Sequence, residues 1–417
     1  MKVLWFSNTP ASGEEFIGKE VIRGGWLKSL DKLLKSQVEL HIAFEYPKHI
    51  DPFIYKEIYY YPICKKNWKL AMIKNIINNK IKDKEDLKVY LELIDNIKPD
   101  VIHIHGTENP FSAIIDSNIK TPIILSIQGN RTVYHYKYFS GIPIKYYNYR
   151  VSNLFNLKQF LFSVNYKKEF QISKKTADRE KYYIGKHKNI IGRTDWDRRI
   201  SRVLAPNSIY FHNDEVLRDS FYREVWNKER DSKIILQSTI GTTFYKGLET
   251  VIQSSMLLEK LGLNFEWRIA GIKSNDLIVK IVLKYLKTNR YPSSVIFQGN
   301  LIENEIIRSL LESDIFIMPS HIENSPNNLC EAMMIGLPCI ATFVGGTSTI
   351  IKDNEEGLLI QDGDPWSMTG AILELINNYD QAKIYGTKAR ERALKRHNKK
   401  RIVDDLVAIY QKVIDKA

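Results

Sequence analysis

Short apolar segments alternate with longer amphipathic segments along almost the whole 417-residue sequence. The apolar segments have the length and β-branched content of buried strands, as in "KVLWFS", "VELHIAF", "PIILSIQG", "KIILQST", "EWRIAGI" and "IFIMPS". The segments between them repeat apolar residues at helical spacing, as in "GGWLKSLDKLLKS" and "KGLETVIQSSMLLEKLG". This alternation predicts an α/β protein built of βαβ units, with parallel sheets.

The chain is long enough for two domains. A polar stretch from about Asn213 to Ser232 separates two sets of alternating elements. We therefore predict one doubly wound domain over residues 1–215, a second over residues 216–394, and a final helix over about residues 395–417. Ligands of open parallel sheets bind beyond the carboxyl ends of the strands, so the loops that follow strands are the places to search for a site.

Composition and sequence ends narrow the class of protein. Apolar residues make up 44% and charged residues 26% of the chain, as in soluble globular proteins. No apolar run approaches the roughly 20 residues of a spanning helix, and "MKVLWFSNTP" predicts a first strand rather than a signal peptide. The three cysteines show no pairing or metal-ligand spacing, which fits a reducing compartment. We therefore expect a cytoplasmic protein.

The net charge of +13 is concentrated in part of the chain. The segment from Arg131 to Lys188 is rich in Lys and Arg, and its first part is rich in Tyr and Phe. Such a surface could face an anionic membrane, a phosphorylated acceptor or nucleic acid. It could equally be a solvated basic face over packed aromatic residues, and the sequence leaves both interpretations open.

The loop after "IFIMPS" carries the most informative candidates. A helix is predicted to begin near Asn328 and to end at Gly336, and its first amide groups could hold a phosphate. We expect Glu331 in the first turn, where it could bind sugar hydroxyls, and Glu323 in the loop, where it could reach another part of the same ligand. The alternative is structural: Asn328 and Glu331 have capping-box spacing, and Glu323 could be a solvated loop residue.

Two further loops favour an anionic ligand. Lys246 precedes a predicted helix start, where the helix dipole disfavours a cation, so a bound anion would explain it. The alternative is a lysine that extends to water. Gly24 and Gly25 open the first long helix and would allow the backbone to approach a phosphate closely.

Residues 320–364, "SHIENSPNNLCEAMMIGLPCIATFVGGTSTIIKDNEEGLLIQDGD", resemble the nucleotide-sugar site of the retaining GT-B glycosyltransferases. This large family includes bacterial polysaccharide, lipopolysaccharide and sucrose-type transferases. The matching features are the Glu-x7-Glu pair, the "EAM..G.P.IAT..GG" continuation and the "G.L...GD" return. The resemblance implies a GT-B fold: two Rossmann-like domains facing a cleft, with a C-terminal helix that crosses back to the first domain.

The resemblance also implies roles for the residues of the second domain. Glu331 would hold the ribose hydroxyls of the donor, and Glu323 would contact the donor sugar near the reacting centre. Lys246 would neutralise the diphosphate leaving group. It would be helped by the amides at the helix start, around Asn327, Asn328 and Leu329.

In the first domain, the resemblance places the loop of Gly24 and Gly25 near the donor phosphate and the acceptor. Many members carry a histidine where this chain has Gln128, which can bind a hydroxyl but cannot exchange protons. His105 ends the strand "VIHIH" and could reach a ligand. Arg193 could serve as a cation for a phosphate or an acidic sugar.

One departure from the family concerns charge in the second domain. The family usually has an arginine a few residues before the lysine, and the corresponding segment here, "LQSTIGTTFYKG", has none. The hydroxyl of Ser238 or Thr239 could replace the hydrogen bonds of that arginine but not its charge.

These features predict a retaining, metal-independent glycosyltransferase that uses no cofactor beyond its donor, such as a UDP- or GDP-sugar. The expected acceptor is a saccharide, in particular a lipid-linked polysaccharide at the inner face of the cytoplasmic membrane, with peripheral binding to anionic lipid. Two alternatives within the fold are a sugar-nucleotide epimerase and a non-catalytic protein. A basic nucleic-acid-binding module is disfavoured, because no recognition helix or RNA-binding signature is present, so no nucleic-acid partner is expected.

Overall fold

The computed structural model describes residues 1–18, 25–64, 86–147 and 166–417. The chain divides into two compact units. The first consists of residues 1–135, 171–219 and 396–417, and the second of residues 136–170 and 220–395. The sequence assigned residues 136–170 to the first domain, whereas this division places them with the second, where Ile142 is part of the hydrophobic core.

The first unit contains an eight-stranded sheet in the order β3-β4-β2-β1-β5-β6-β7-β8. Neighbouring strands are parallel except for the antiparallel pair β3–β4. The strands are β1 (Lys2–Ser7), β2 (Glu39–Tyr46), β3 (Phe53–Tyr55), β4 (Ile58–Cys64), β5 (Val101–His105), β6 (Ile123–Ser126), β7 (Asn189–Gly192) and β8 (Ile209–His212).

Helices connect these strands, as the alternating pattern predicts. The α-helices are α1 (Gly13–Ile17), α2 (Gly25–Leu34), α3 (Leu87–Ile97), α4 (Arg131–Tyr134), α5 (Tyr166–Ile184), α6 (Asp195–Leu204) and α7 (Asp219–Arg223). The 3-10 helix Pro110–Asp116 belongs to the first unit and Ile144–Tyr147 to the second, whereas the 3-10 helix His135–Lys137 and the helices α5 and α7 each contain a boundary of the division along the chain.

The second unit contains a six-stranded parallel sheet in the order β11-β10-β9-β12-β13-β14. The strands are β9 (Ile234–Thr239), β10 (Phe265–Ala270), β11 (Val295–Gly299), β12 (Ile315–Met318), β13 (Cys339–Thr342) and β14 (Leu358–Ile360). Every residue of β12 and β13 is buried. This explains their unbroken apolar sequences, because helices cover both faces of a parallel sheet.

The helices of the second unit also alternate with its strands. They are the 3-10 helix Phe244–Lys246, then α8 (Leu248–Lys260), α9 (Leu277–Tyr285), α10 (Glu303–Leu311), α11 (Asn327–Ile335), α12 (Thr347–Ile350), α13 (Pro365–Asn377) and α14 (Tyr379–Arg396). The final helix of the chain, α15 (Lys399–Ile414), belongs to the first unit. Among the described ranges, no helix combines the length and apolar character needed to cross a bilayer.

The C-terminal helix α15 is fixed to the first unit by a buried polar contact. Tyr410 is fully buried, and its hydroxyl accepts a hydrogen bond from Trp5 Nε1 at 2.9 Å. The same hydroxyl lies 2.7 Å from His103 Nδ1, so α15 is joined to both β1 and β5. The expectation that the final helix joins the first domain is confirmed.

The order of strands determines where each sheet can bind a ligand. In the second sheet the chain runs outward from β9 to β10 and β11, then returns to the other side of β9 with β12, β13 and β14. The connections that follow β9 and β12 therefore diverge at a topological switch point, where open α/β sheets bind their ligands. Those connections carry Lys246 and Glu323.

Candidate active site

Lys246 and Glu323 form an ion pair at the switch point of the second unit. Lys246 ends the 3-10 helix after β9, and Glu323 lies in the loop after β12. The Lys246 Nζ atom is 2.5 Å from Glu323 Oε1, and the side chains are 23% and 8% exposed. The residues that the sequence singled out separately, 77 positions apart, are thus direct partners.

The loop that carries Glu323 is held by several short contacts. Ser320 Oγ donates a hydrogen bond to Glu323 Oε1 at 2.8 Å, and the Gly346 amide donates to the Glu323 carbonyl at 3.0 Å. Gly345 has φ +51, and a Cβ atom there would lie 1.8 Å from the Glu323 carbonyl oxygen. Only glycine allows this close approach, which gives the "GG" of the sequence pattern a structural reason.

The ion pair keeps Lys246 charged. Burial lowers the pKa of the Lys246 ammonium, but the attraction of Glu323 outweighs it and the pKa is raised above its usual value. The site therefore offers an ammonium group next to a carboxylate at the ends of two strands. An ammonium group can stabilise a departing phosphate, and a carboxylate can stabilise positive charge that develops on a sugar ring.

Helix α11 starts one residue earlier than predicted and is not closed by a capping box. Its N-cap is Pro326, without a side-chain cap, and its first residue is Asn327. Asn328 Oδ1 instead accepts a hydrogen bond from the Leu329 amide at 2.9 Å. The capping-box alternative is therefore wrong, because both of its residues lie inside the helix.

Glu331 is the fifth residue of α11 and is 8% exposed, so its predicted place in the first turn is also wrong. The first turn contains Asn327, whose side-chain oxygen is buried without a hydrogen-bond partner among the described residues.

Ser238 and Thr239 were the two hydroxyls considered as substitutes for the missing arginine, and the Ser238 hydroxyl is already engaged in hydrogen bonds within the core. Ser238 Oγ donates to the Ile317 carbonyl at 2.7 Å and accepts from Trp267 Nε1 at 3.0 Å, and Ser238 is fully buried. Thr239 ends β9, and its carbonyl accepts a hydrogen bond from Asn328 Nδ2 at 3.3 Å. Thr239 therefore remains the candidate, because it lies next to the start of α11.

In the first unit, His105 ends β5 as predicted and lies in an aromatic environment. The side chain is 1% exposed, and neither ring nitrogen has a hydrogen-bond partner among the described residues. The ring centroid is 3.9 Å from that of His103 and 4.5 Å from that of Trp5. Burial lowers the pKa of His105 well below its usual value, so the imidazole is neutral. A proton-transfer role for His105 stays a prediction, and this environment does not favour it.

Arg193, which follows β7, is also buried in the first unit. Its guanidinium carbon lies 4.3 Å from the ring centroid of Trp26, and Nε is 3.8 Å from Glu215 Oε2. The side chain is 7% exposed, and its Nη2 atom has no hydrogen-bond partner among the described residues. A cavity of about 20 Å³ lies against Arg193, Trp26 and His105 and has room for about one water-sized group.

The remaining candidates in the first unit are the glycine pair, Gly24 and Gly25, and Gln128, and the structure says less about them. Gly25 is the first residue of α2, and a Cβ atom there would lie 3.2 Å from Arg218 Cδ. Gly24 lies outside the described residues. Gln128 is half-buried in the loop between β6 and α4. The roles assigned to these residues stay predictions.

In the described part of the basic and aromatic segment, Arg131 to Lys188, some apolar and aromatic side chains are packed inside and others are exposed. Ile142 is buried in the core of the second unit, and the half-buried Phe139 and Tyr146 pack against that core. Tyr136 is 76% exposed and Ile144 is 48% exposed. Residues 148–165 lie outside the described residues.

His321 is a candidate site residue that the sequence analysis missed. Its ring is 3% exposed and lies between Glu249, at 2.5 Å from Nε2, and Asp362, at 3.0 Å from Nδ1. The only signal in the sequence was its position two residues before Glu323. Nothing in the spacing indicated that residues 249 and 362 would meet it, because three separate loops bring the three side chains together.

The fold and the second unit now define the class of protein. Sucrose-phosphate synthase from Thermosynechococcus elongatus aligns with a TM-score of 0.74 at 12% identity, over 100% of this chain and 99% of that chain. The family model described as "Glycosyl transferases group 1" matches residues 219–392, which include Lys246 and Glu323. The chain therefore has the GT-B fold, and the group 1 glycosyltransferase match covers most of its second unit.

Curated relatives agree with this class. The N-acetyl-alpha-D-glucosaminyl L-malate synthase of Bacillus anthracis is 28% identical over 32% of this chain, and the match spans only 34% of that enzyme. The capsular polysaccharide biosynthesis glycosyltransferase CapM of Staphylococcus aureus is 23% identical over 82% of this chain and 87% of its own length. The expected fold class is confirmed.

Proposed function

We propose that the protein transfers a sugar from a nucleoside diphosphate sugar to a hydroxyl of a growing, lipid-linked surface polysaccharide, with retention of anomeric configuration and without a metal ion. The observation that carries this proposal is the Lys246–Glu323 pair at the switch point of the second sheet. In this proposal Lys246 faces the diphosphate of the donor and Glu323 faces the sugar attached to it.

The proposed chemistry follows from the charges at the site. When the bond between sugar and diphosphate breaks, negative charge grows on the diphosphate and positive charge on the sugar ring. Lys246 and the amides of Asn327, Asn328 and Leu329 stabilise the first charge, and Glu323 stabilises the second. Glu331 holds the ribose of the donor.

Retention follows if the acceptor attacks from the face that the diphosphate leaves. In that case the departing diphosphate oxygen takes the proton of the acceptor hydroxyl. Glu323 Oε1 is held by Lys246 and Ser320, and in this proposal the carboxylate stabilises the positive charge on the sugar ring. Transfer is then direct and front-side, with no covalent intermediate on Glu323.

The acceptor class is supported by the relatives and by the surface of the chain. CapM is, by its name, a glycosyltransferase of capsular polysaccharide biosynthesis. The net charge of +13 and the exposed Tyr136 in the basic segment fit an acceptor attached to an anionic membrane surface.

The first experiment identifies the donor and the reaction. The full chain is screened by thermal shift against UDP-, GDP-, ADP- and CMP-sugars, and the donors that stabilise it are incubated with and without a membrane extract. Transfer that persists in EDTA supports the proposal, and NMR of the product determines the anomeric configuration. Interconversion of the donor alone would identify an epimerase, and stabilisation without turnover would identify a non-catalytic protein.

A second experiment tests docking to the membrane. Co-sedimentation with vesicles that contain anionic lipid should fall steeply as salt is added. Neutral vesicles serve as the control. Equal binding to both, or no binding at low salt, would contradict surface docking and would leave the transfer reaction untouched.

A further inference from the structure

The imidazole of His321 joins three loops at the carboxyl edge of the second sheet. Nε2 lies 2.5 Å from Glu249 Oε1 at the start of α8, and Nδ1 lies 3.0 Å from Asp362 Oδ2 after β14. The backbone amide of His321 donates to the Tyr245 carbonyl at 2.7 Å, immediately before Lys246. His321 itself stands two residues before Glu323. His321 therefore contacts the connection after β9 and the loop after β14, and it lies in the loop of Glu323.

The geometry defines the protonation state of the ring. A carboxylate only accepts hydrogen bonds, and a neutral imidazole has a single N–H group. Both ring nitrogens face carboxylate oxygens at hydrogen-bond distance, so only the imidazolium donates to both. Burial lowers the pKa of His321, but Glu249 and Asp362 outweigh burial and raise it above its usual value.

The surroundings of the ring are shaped to fit it. A Cβ atom at Gly141 would lie 2.0 Å from Glu249 Oε1 and 2.7 Å from His321 Nε2. A Cβ atom at Gly363 would lie 3.2 Å from His321 Cε1. These two glycines let separate segments close over the ring, so the His321–Glu249 pair is enclosed rather than solvated.

The positive and negative charges around the His321 ring are equal in number when the ring is protonated. Glu249 faces it from α8 and Asp362 from the loop after β14, while Lys137 Nζ lies 3.7 Å from Asp362 Oδ2. The adjoining loops contribute Lys246 and Glu323. With His321 charged, three cations face three carboxylates. With His321 neutral, the buried Glu249 carboxylate loses its counter-ion, which is a costly state.

We propose that His321, as an imidazolium, is a positioning residue for the transfer reaction: it ties the loop of Lys246 to the loop of Glu323 and so fixes the two charges relative to each other. The inference rests on the proposed function, because positioning has meaning only for a reaction. His321 touches neither the donor nor the acceptor in this role and acts through the two loops.

The kinetic test replaces the ring and keeps its size. His321→Gln retains one donor group and loses the charge. We expect kcat to fall on the order of 100-fold, because small displacements of reacting groups are costly, while KM for the donor changes much less. His187→Gln is the matched control: His187 is 2% exposed, contacts Ser112 Oγ at 3.1 Å in the first unit, and should leave kcat unchanged.

A double variant keeps the test decisive if His321→Gln alone fails to fold. The double variant His321→Gln with Glu249→Gln removes the buried carboxylate together with its counter-ion, so it should regain stability. If it regains stability but kcat stays low, the imidazolium is needed for positioning. If kcat recovers together with stability, His321 is only structural and the inference is overturned.

Amide hydrogen exchange tests the coupling without any activity. His321→Gln should speed exchange both in residues 244–249 and in residues 320–326, and His187→Gln should change neither. Unchanged exchange in either loop overturns the inference even if transfer is observed. Absence of transfer by the wild-type protein with every donor overturns the proposed function, and the exchange result then decides the coupling of the loops independently.

Discussion

Separating Lys246 from Glu323, the two charges of the candidate active site, should have different effects on stability and on turnover. We consider Lys246→Met, which removes the ammonium and retains a long side chain. The variant leaves Glu323, whose side chain is 8% exposed, without the partner that lies 2.5 Å from it. The change therefore affects both the folded state and the proposed leaving-group stabilisation.

The magnitude follows from burial. Breaking a fully buried ion pair on one side costs about 3–5 kcal/mol. Lys246 is 23% exposed, so water reaches part of the pair and we expect a smaller loss, about 1–3 kcal/mol in the free energy of unfolding. Turnover should fall further, by about 100- to 1000-fold, because a charge-stabilising group is lost from the transition state.

The control is a second ion pair in the same unit. Lys228 Nζ lies 2.6 Å from Asp314 Oδ2, with side-chain exposures of 19% and 0%. Asp314 immediately precedes β12, at the strand end opposite to Glu323. Lys228→Met should therefore cost a similar amount of stability and leave kcat unchanged.

The assay compares urea unfolding and steady-state transfer for Lys246→Met, Lys228→Met and the double variant Lys246→Met with Glu323→Gln. The double variant should recover stability, since no unpaired carboxylate remains, but it should not recover turnover. Near-normal turnover of Lys246→Met, or equal loss of turnover in Lys228→Met, would refute the assignment of Lys246 to the active site.

Three further predictions concern the backbone, the core and pH. Gly345→Ala should cost on the order of 3 kcal/mol and reduce turnover because its Cβ collides with the Glu323 carbonyl, whereas Gly262→Ala, at φ +75 with open space around it, should cost about 1 kcal/mol in urea unfolding. Tyr410→Phe leaves Trp5 Nε1 without its acceptor and should cost about 1–3 kcal/mol with unchanged kcat, so a stability within error of wild type would contradict the contact. The pKa of His321 is raised on folding, so its stabilisation should be complete below about pH 6.5 and lost as pH rises through the raised pKa; unfolding measured against pH should show this loss in wild type and not in His321→Gln.

Much of the fold was determined by local pattern. Strands such as β12 are apolar on both faces, and helices such as α8 repeat apolar residues at helical spacing, so the alternation of elements and the parallel sheets could be read from the sequence. The helix stop at Gly336 was also readable, because a left-handed residue, here with φ +86, is most easily supplied by glycine. These features depend on neighbours within a few residues.

Two details could not be predicted from the local pattern, and one of them depends on distant partners. Asn328 and Glu331 have the spacing of a capping box, but the helix begins at Asn327, so both lie inside it. The Ser238 hydroxyl is a candidate ligand group by its position in the sequence, but in the structure it is buried and hydrogen-bonded to Ile317 and Trp267.

The sequence by itself determined the elements and the candidate charges: strands from apolar runs, helices from periodicity, and Lys246 and Glu323 from their places after strands. Only the tertiary structure decided which charges meet. The strand order brings the ends of β9 and β12 together, so Lys246 and Glu323 pair, and three loops enclose His321 between two carboxylates. The physical reason is that periodicity is a local property of the chain, whereas an ion pair depends on distances that exist only after the sheet has assembled.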